Sequence, residues 1–132
     1  MKKSVLIAMV DEVFADLARR LLDSSGFHVR MVRDERECVA QLWKSTPDVL
    51  LLESSFAPFR AGRGDSVWSL LREESDTPRP CVVLISDGKS NIADIQAASP
   101  AVTAHLKPPL HLARLLRAVE QAATRGAPAL QQ

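Results

Sequence analysis

Three stretches of this chain are apolar almost without a break over the length of a β-strand: SVLIAMV at 4–10, DVLLL at 48–52 and CVVLI at 81–85. A strand with one face in water alternates apolar and polar residues, whereas a near-continuous run belongs to a strand covered on both faces. FHVRMV at 27–32 does alternate, setting Phe27, Val29 and Met31 against His28 and Arg30. That pattern predicts a half-exposed strand at a sheet edge. AVTAHL at 101–106 is a weaker fifth strand.

Helical periodicity fills the intervals. Phe14, Leu17, Ala18, Leu21 and Leu22 recur at the spacing of one helix face, and Gly26 supplies a stop. Asp34 and Glu37 form a capping box ahead of Cys38, Val39, Leu42 and Trp43. Asp65 or Ser66 is placed to cap a short helix carrying Val67, Leu70 and Leu71, and Ser90 or Asn91 to open one carrying Ile92 and Ile95. Leu112, Leu115, Leu116 and Val119 line the last helix, after KPP. Strands alternating with helices in this way predict an α/β fold: a (βα)5 doubly wound parallel five-stranded sheet, flavodoxin-like order 2-1-3-4-5, with helices on both faces. In such a sheet, function gathers beyond the carboxyl ends of the strands.

The totals narrow the function. A length of 132 residues suits one domain, expected over 1–123, with 124–132 as a C-terminal tail or linker. A net charge of +1 gives no broad basic face, so nucleic acid is not an expected partner of this domain alone. The apolar runs are too short to span a bilayer, and MKKSV leads into a strand and not a signal-peptide core. Cys38 and Cys81 form no CxxC and no His/Cys cluster, which suits two reduced, buried thiols and a cytoplasmic chain. GRG at 62–64 follows no strand directly and gives no dinucleotide fingerprint, and RGD at 63–65 is a chance match.

PDVLLLE, then CVVLIS, then LKPP ahead of an amphipathic helix together resemble the receiver domain of bacterial two-component response regulators. The resemblance covers residue 4 to about residue 122. It implies an acidic pair after strand 1 that holds magnesium, and a phosphoacceptor aspartate after strand 3. It also implies a Ser or Thr after strand 4 and a lysine after strand 5 that respond to the phosphate. Phosphoryl transfer needs positioned charge, magnesium an octahedral oxygen shell, and the nucleophile an in-line approach.

The chain departs from that pattern where the chemistry would occur. Aligned on the first helix and Gly26 without a gap, Met9 and Val10 take the acidic-pair positions, and Asp11 and Glu12 follow too late. Bringing Asp11 and Glu12 into place would need a deletion before the first helix or a slip of the strand register. Glu53 stands at the phosphoacceptor position with one methylene too many. Two readings of Glu53 stay open: an imitation of the phosphorylated state paired with Lys107, or a strand-end carboxylate that is solvated or paired with Lys107. The switch hydroxyl falls on Ile85 by spacing or Ser86 by composition, and Ala104, with His105 beside it, replaces the aromatic partner. Lys107 and Pro108 are kept, and the resemblance makes Pro108 a cis-proline candidate.

The resulting expectation is an atypical pseudo-receiver. It would be a non-enzymatic, phosphorylation-independent interaction module of bacterial signalling, with no cofactor and no metal. Its partner, or a second copy, would dock on the face of the fourth predicted helix, the fifth strand and the last helix. Asn91, Asp94, Gln96, His105, Arg114 and Arg117 are the interface candidates. The basic loop SSFAPFRAGRGD at 54–65 offers Phe56, Phe59, Arg60 and Arg63 as a second candidate surface, unless its aromatics fold onto the core. One rival is a phosphorelay receiver using Asp11, Glu12 and Glu53 with magnesium. The other is a flavodoxin-like module binding a small ligand between Met9, Glu53 and Lys107.

Overall fold

A computed structural model of the chain describes residues 2–56, 67–72, 80–86, 101–107 and 110–125. Its strands are β1 (Ser4–Ala8), β2 (His28–Val32), β3 (Val49–Glu53), β4 (Cys81–Ile85) and β5 (Val102–Leu106). The helices of the described residues are α1 (Glu12–Ser24), α2 (Glu35–Lys44), α3 (Val67–Arg72) and α4 (Leu112–Arg125). The strands form one parallel sheet in the order β2-β1-β3-β4-β5, the predicted α/β arrangement. The predicted helix with Ile92 and Ile95, and the caps at Asp65, Ser66, Ser90 and Asn91, lie outside the described residues.

Alternation along the central strands builds two cores. Val5, Ile7, Met9, Val49, Leu51, Val83 and Ile85 pack under α1 and α4, which contribute Ala15, Ala18, Leu22, Leu115 and Val119. Leu6, Ala8, Leu50, Leu52, Val82 and Leu84 pack on the other side with Cys38 of α2 and Val67 and Leu71 of α3. Both faces of β3 are therefore covered, which is why its sequence carries no polar residue between Asp48 and Glu53. Among the described residues, no helix is long and apolar enough to cross a membrane.

The helix ends follow local chemistry. Asp34 accepts from the Glu37 N–H at 2.8 Å, and Glu37 accepts in return from Arg33, one residue before the cap. At the end of α1, Gly26 takes φ +97°. That left-handed turn lets Phe27 N–H reach Leu22 O and Gly26 N–H reach Asp23 O, a Schellman closure. The start of α3 is held from outside, by a bond from Val67 N–H to Glu35 of α2 at 3.1 Å.

Several sequence expectations of burial are corrected. α1 rests on Ala15, Ala18 and Leu22, whose two alanines allow close approach to the sheet, so the helix is rotated and Leu17 is left 44% exposed. On α2, Cys38 is the buried contact, and Trp43 points to solvent at 73% exposure. On edge strand β2 the apolar cluster reaches Phe27 and Val29 but stops short of Met31, and Val32 is buried on the opposite face. Phe56 is folded into the core and is not part of an exposed partner surface; Phe59, Arg60 and Arg63 lie outside the described residues. Of the thiols, Cys38 is buried and Cys81 is half-buried, and neither forms a disulfide.

Candidate functional site

The carboxyl ends of β1, β3, β4 and β5 bring together Met9 to Glu12, Glu53, Ile85, Ser86 and the β5 end with Lys107. β1 stops at Ala8, its last residue paired with β3. Met9 continues inward and is buried under α1 and α4, while Val10 turns out to solvent. Asp11 is the N-cap of α1, and its Oδ1 accepts from Phe14 N–H at 3.0 Å. Glu12, exposed, occupies the first turn of that helix, where a carboxylate meets the positive end of the helix dipole.

Glu53 lies one residue beyond the last β1–β3 pair, opposite Ile85 of β4. Its side chain leans across to the β1–α1 turn. Oε1 accepts from Val10 N–H at 2.6 Å and lies 3.4 Å from Asp11 N–H. The first of these is short even for a charge-assisted bond. Nothing in the residue types foretold it, because its donors are backbone amides.

The expected pairing of Glu53 with Lys107 is absent. Lys107 is exposed, and the ion pairs among the described residues are Arg19–Asp16 and Arg20–Asp16 on the surface of α1. The physical reason is competition: the amide donors of the β1–α1 turn lie within reach of Glu53, and their bonds need no flexible ammonium to be ordered.

The switch positions are divided between core and strand end. Ile85 is buried beneath α1 and α4. Ser86 is also buried, one residue past β4, with its N–H on Leu106 O. Ala104 packs into the cluster beneath α4. His105 lies on the edge strand β5. It is half-buried, and its Nε2 is shut off from solvent with no hydrogen-bond partner among the described residues. Burial lowers its pKa from the ordinary value, and the Lys107 charge adds to the effect. Arg114 and Arg117 are exposed along α4, whereas Asn91, Asp94, Gln96 and Pro108 lie outside the described residues.

These residues do not fit a magnesium ion. The cation wants near-octahedral oxygen ligation. Met9 and Val10 offer no oxygen from their side chains, and Asp11 Oδ1 and Glu53 Oε1 are engaged by backbone donors. Among the described residues, no three His, Cys, Asp or Glu side chains gather as a cation site.

No family model matches the chain, and no protein of curated function matches it. Solved structures do. A response regulator from Thermotoga maritima superposes with a TM-score of 0.69 at 17% identity, covering 94% of this chain and 99% of that one. The receiver domain of the Francisella response regulator 1452 gives 0.72 at 19%, covering 94% and 98%. A response regulator receiver protein from Burkholderia phymatum gives 0.71 at 20%, covering 93% and 96%. At these identities the likeness is one of architecture, and over nearly its whole length this chain has the fold of the response regulator receiver domains.

Proposed function

We propose that this chain is a receiver-type interaction module of bacterial two-component signalling, cytoplasmic and non-enzymatic, whose output does not require phosphoryl transfer. The observation that carries this reading is the bond from Val10 N–H to Glu53 Oε1 at 2.6 Å. A phosphoacceptor carboxylate has to present a lone pair to an incoming donor in line, beside a cation. Glu53 instead spends an oxygen on the neighbouring turn, and the residues around it supply no cation shell. The absence of an ion pair with Lys107 speaks against Glu53 as a stand-in for a phosphoryl group.

The working surface, on this reading, lies along β5 and α4. Arg114 and Arg117 project from the exposed side of α4, and His105 sits in the adjoining edge strand. Exposed arginines are frequent anchors for a protein partner or a second copy of the chain.

Amide spectra recorded with magnesium and beryllofluoride, or with a small phosphodonor, test the proposal. The expected outcome is no change at Lys107 or along Val82 to Ser86. A magnesium-dependent shift of those amides would instead establish a working phosphorelay receiver acting through Asp11, Glu12 and Glu53. A shift produced by a small metabolite alone, with matching thermal stabilisation, would favour a ligand-binding module.

A further inference from the structure

We infer that the Glu53 carboxylate is a permanent internal clamp: it holds the β1–α1 turn to the end of β3 by direct hydrogen bonds, so that the cleft keeps one conformation with or without a divalent cation. The inference rests on the reading of the cleft as one that accepts no phosphate, and it extends that reading from what the site lacks to what the residue does.

The ladder between β1 and β3 ends with Ala8 opposite Leu52. Beyond it the two chains diverge, since β3 runs on for one residue against β4 alone while β1 turns toward α1. No strand pairing joins Val10 to β3, and the Glu53 side chain supplies the missing bond. Neighbouring strands lie about 4.8 Å apart, so a side chain must span most of that gap. The additional methylene of glutamate gives that reach, and the feature that spoils the residue as a phosphoacceptor is what makes the bond to the turn.

Two carboxylates then satisfy the donors of the turn. Glu53 takes Val10 N–H and draws on Asp11 N–H, and Asp11 takes Phe14 N–H. Both lie at the N-terminal end of α1, where negative charge is favoured, and Glu12 adds a third carboxylate in the first turn. A cation entering here would find one oxygen of Glu53 and one of Asp11 already taken by backbone donors, and it would meet Met9 in the core where a ligand should be.

Amide hydrogen exchange on the whole chain is the test, with Val10 compared against core amides such as Leu50 and Leu51. Wild-type exchange at Val10 is expected to be the same in EDTA and in millimolar magnesium. Loss of one charge-assisted bond in E53A should speed Val10 exchange about tenfold relative to the core. E53Q, which keeps an oxygen at the same reach, should lose less, and E53D, one methylene shorter, should behave like E53A. Magnesium-dependent protection of wild-type Val10, unchanged exchange in E53A, or full protection in E53D would each overturn the clamp. E53Q and the wild-type comparison decide the matter even if E53A folds poorly. Failure here with a silent phosphodonor experiment removes the clamp alone. A phosphodonor response with the clamp intact removes only the functional reading.

Discussion

A double-mutant cycle between Glu53 and Lys107 separates a clamp from an imitation of phosphate. The perturbations are Glu53→Gln, which keeps side-chain length, Lys107→Met, which removes the ammonium from a stem of similar length, and the pair. Lys107 is exposed and forms no ion pair among the described residues, while Glu53 is half-buried and bonded to the β1–α1 turn. Two unit charges farther apart than ion-pair distance in water interact by less than about 1 kcal/mol, and 0.15 M salt screens much of that. The coupling energy should therefore be below about 0.5 kcal/mol, and Lys107→Met alone should cost less than about 1 kcal/mol. Urea unfolding of the four proteins measures both quantities, provided the transitions remain two-state. A partly buried pair would instead leave an uncompensated carboxylate when Lys107 is removed, at a cost of about 3 kcal/mol. A coupling above about 1 kcal/mol would refute the reasoning and restore the ion pair between the two strand ends.

Three further outcomes follow from the bonds and burial described above. Asp48→Ala should destabilise by about 1–3 kcal/mol in urea unfolding, because Asp48 Oδ2 accepts from Ser4 N–H at 2.8 Å in a partly buried place; a change within error would show that water replaces it. For His105 the lowered pKa means that the unfolded chain binds the proton more readily than the folded one. Stability is then fully present above the ordinary value of 6.5 and is lost as pH falls through and below it. Thermal unfolding from pH 7.5 down to 5 should show a smaller acid-side loss in His105→Leu than in wild type. The Cys38 thiol, pushed up to about 12 first by burial and then by the Glu35 charge, should react with a thiol reagent only at the rate of unfolding; fast labelling of native protein at Cys38 would contradict its burial.

The parts of the fold written in side chains were legible. Strands β1, β3 and β4 announce themselves because a strand covered on both faces admits no polar residue, and Gly26 because the end of α1 needs a left-handed turn. Helix rotation was less readable. The stripe placed Ala18 and Leu22 inside, as found, but it also put Leu17 there and passed over Ala15, because hydrophobicity alone undervalues alanine at a tight helix–sheet approach. Trp43 misled for a related reason: it lies one residue, about 100° of helix, beyond Leu42 and falls off the buried face. At the strand ends, Glu53 was recognisable as an unusual carboxylate, but its partner was not. A carboxylate facing a lysine in the sequence suggests an ion pair, whereas backbone N–H groups are present at every residue and leave no mark in composition or spacing.

Glu53 has a counterpart at the other end of the same strand. Asp48, just before β3, bonds to Ser4 N–H at the start of β1, and Glu53, closing β3, bonds to Val10 N–H just after β1. The central pair of strands is thus pinned at both tips by carboxylates of one strand on amides of the other. Such an arrangement works as a length gauge. Six steps from Ser4 to Val10 along one chain stand against five from Asp48 to Glu53 along the other, the Glu53 side chain reaches across the difference, and a change in either count makes one pin miss its hole. A one-residue slip of β3 would unseat both pins at once, besides turning Leu50 and Leu52 away from their core. An insertion in either strand would unseat one, whichever end the chain adjusted from. The shape of the cleft is in this sense measured out by the sheet, from its far edge to its near one.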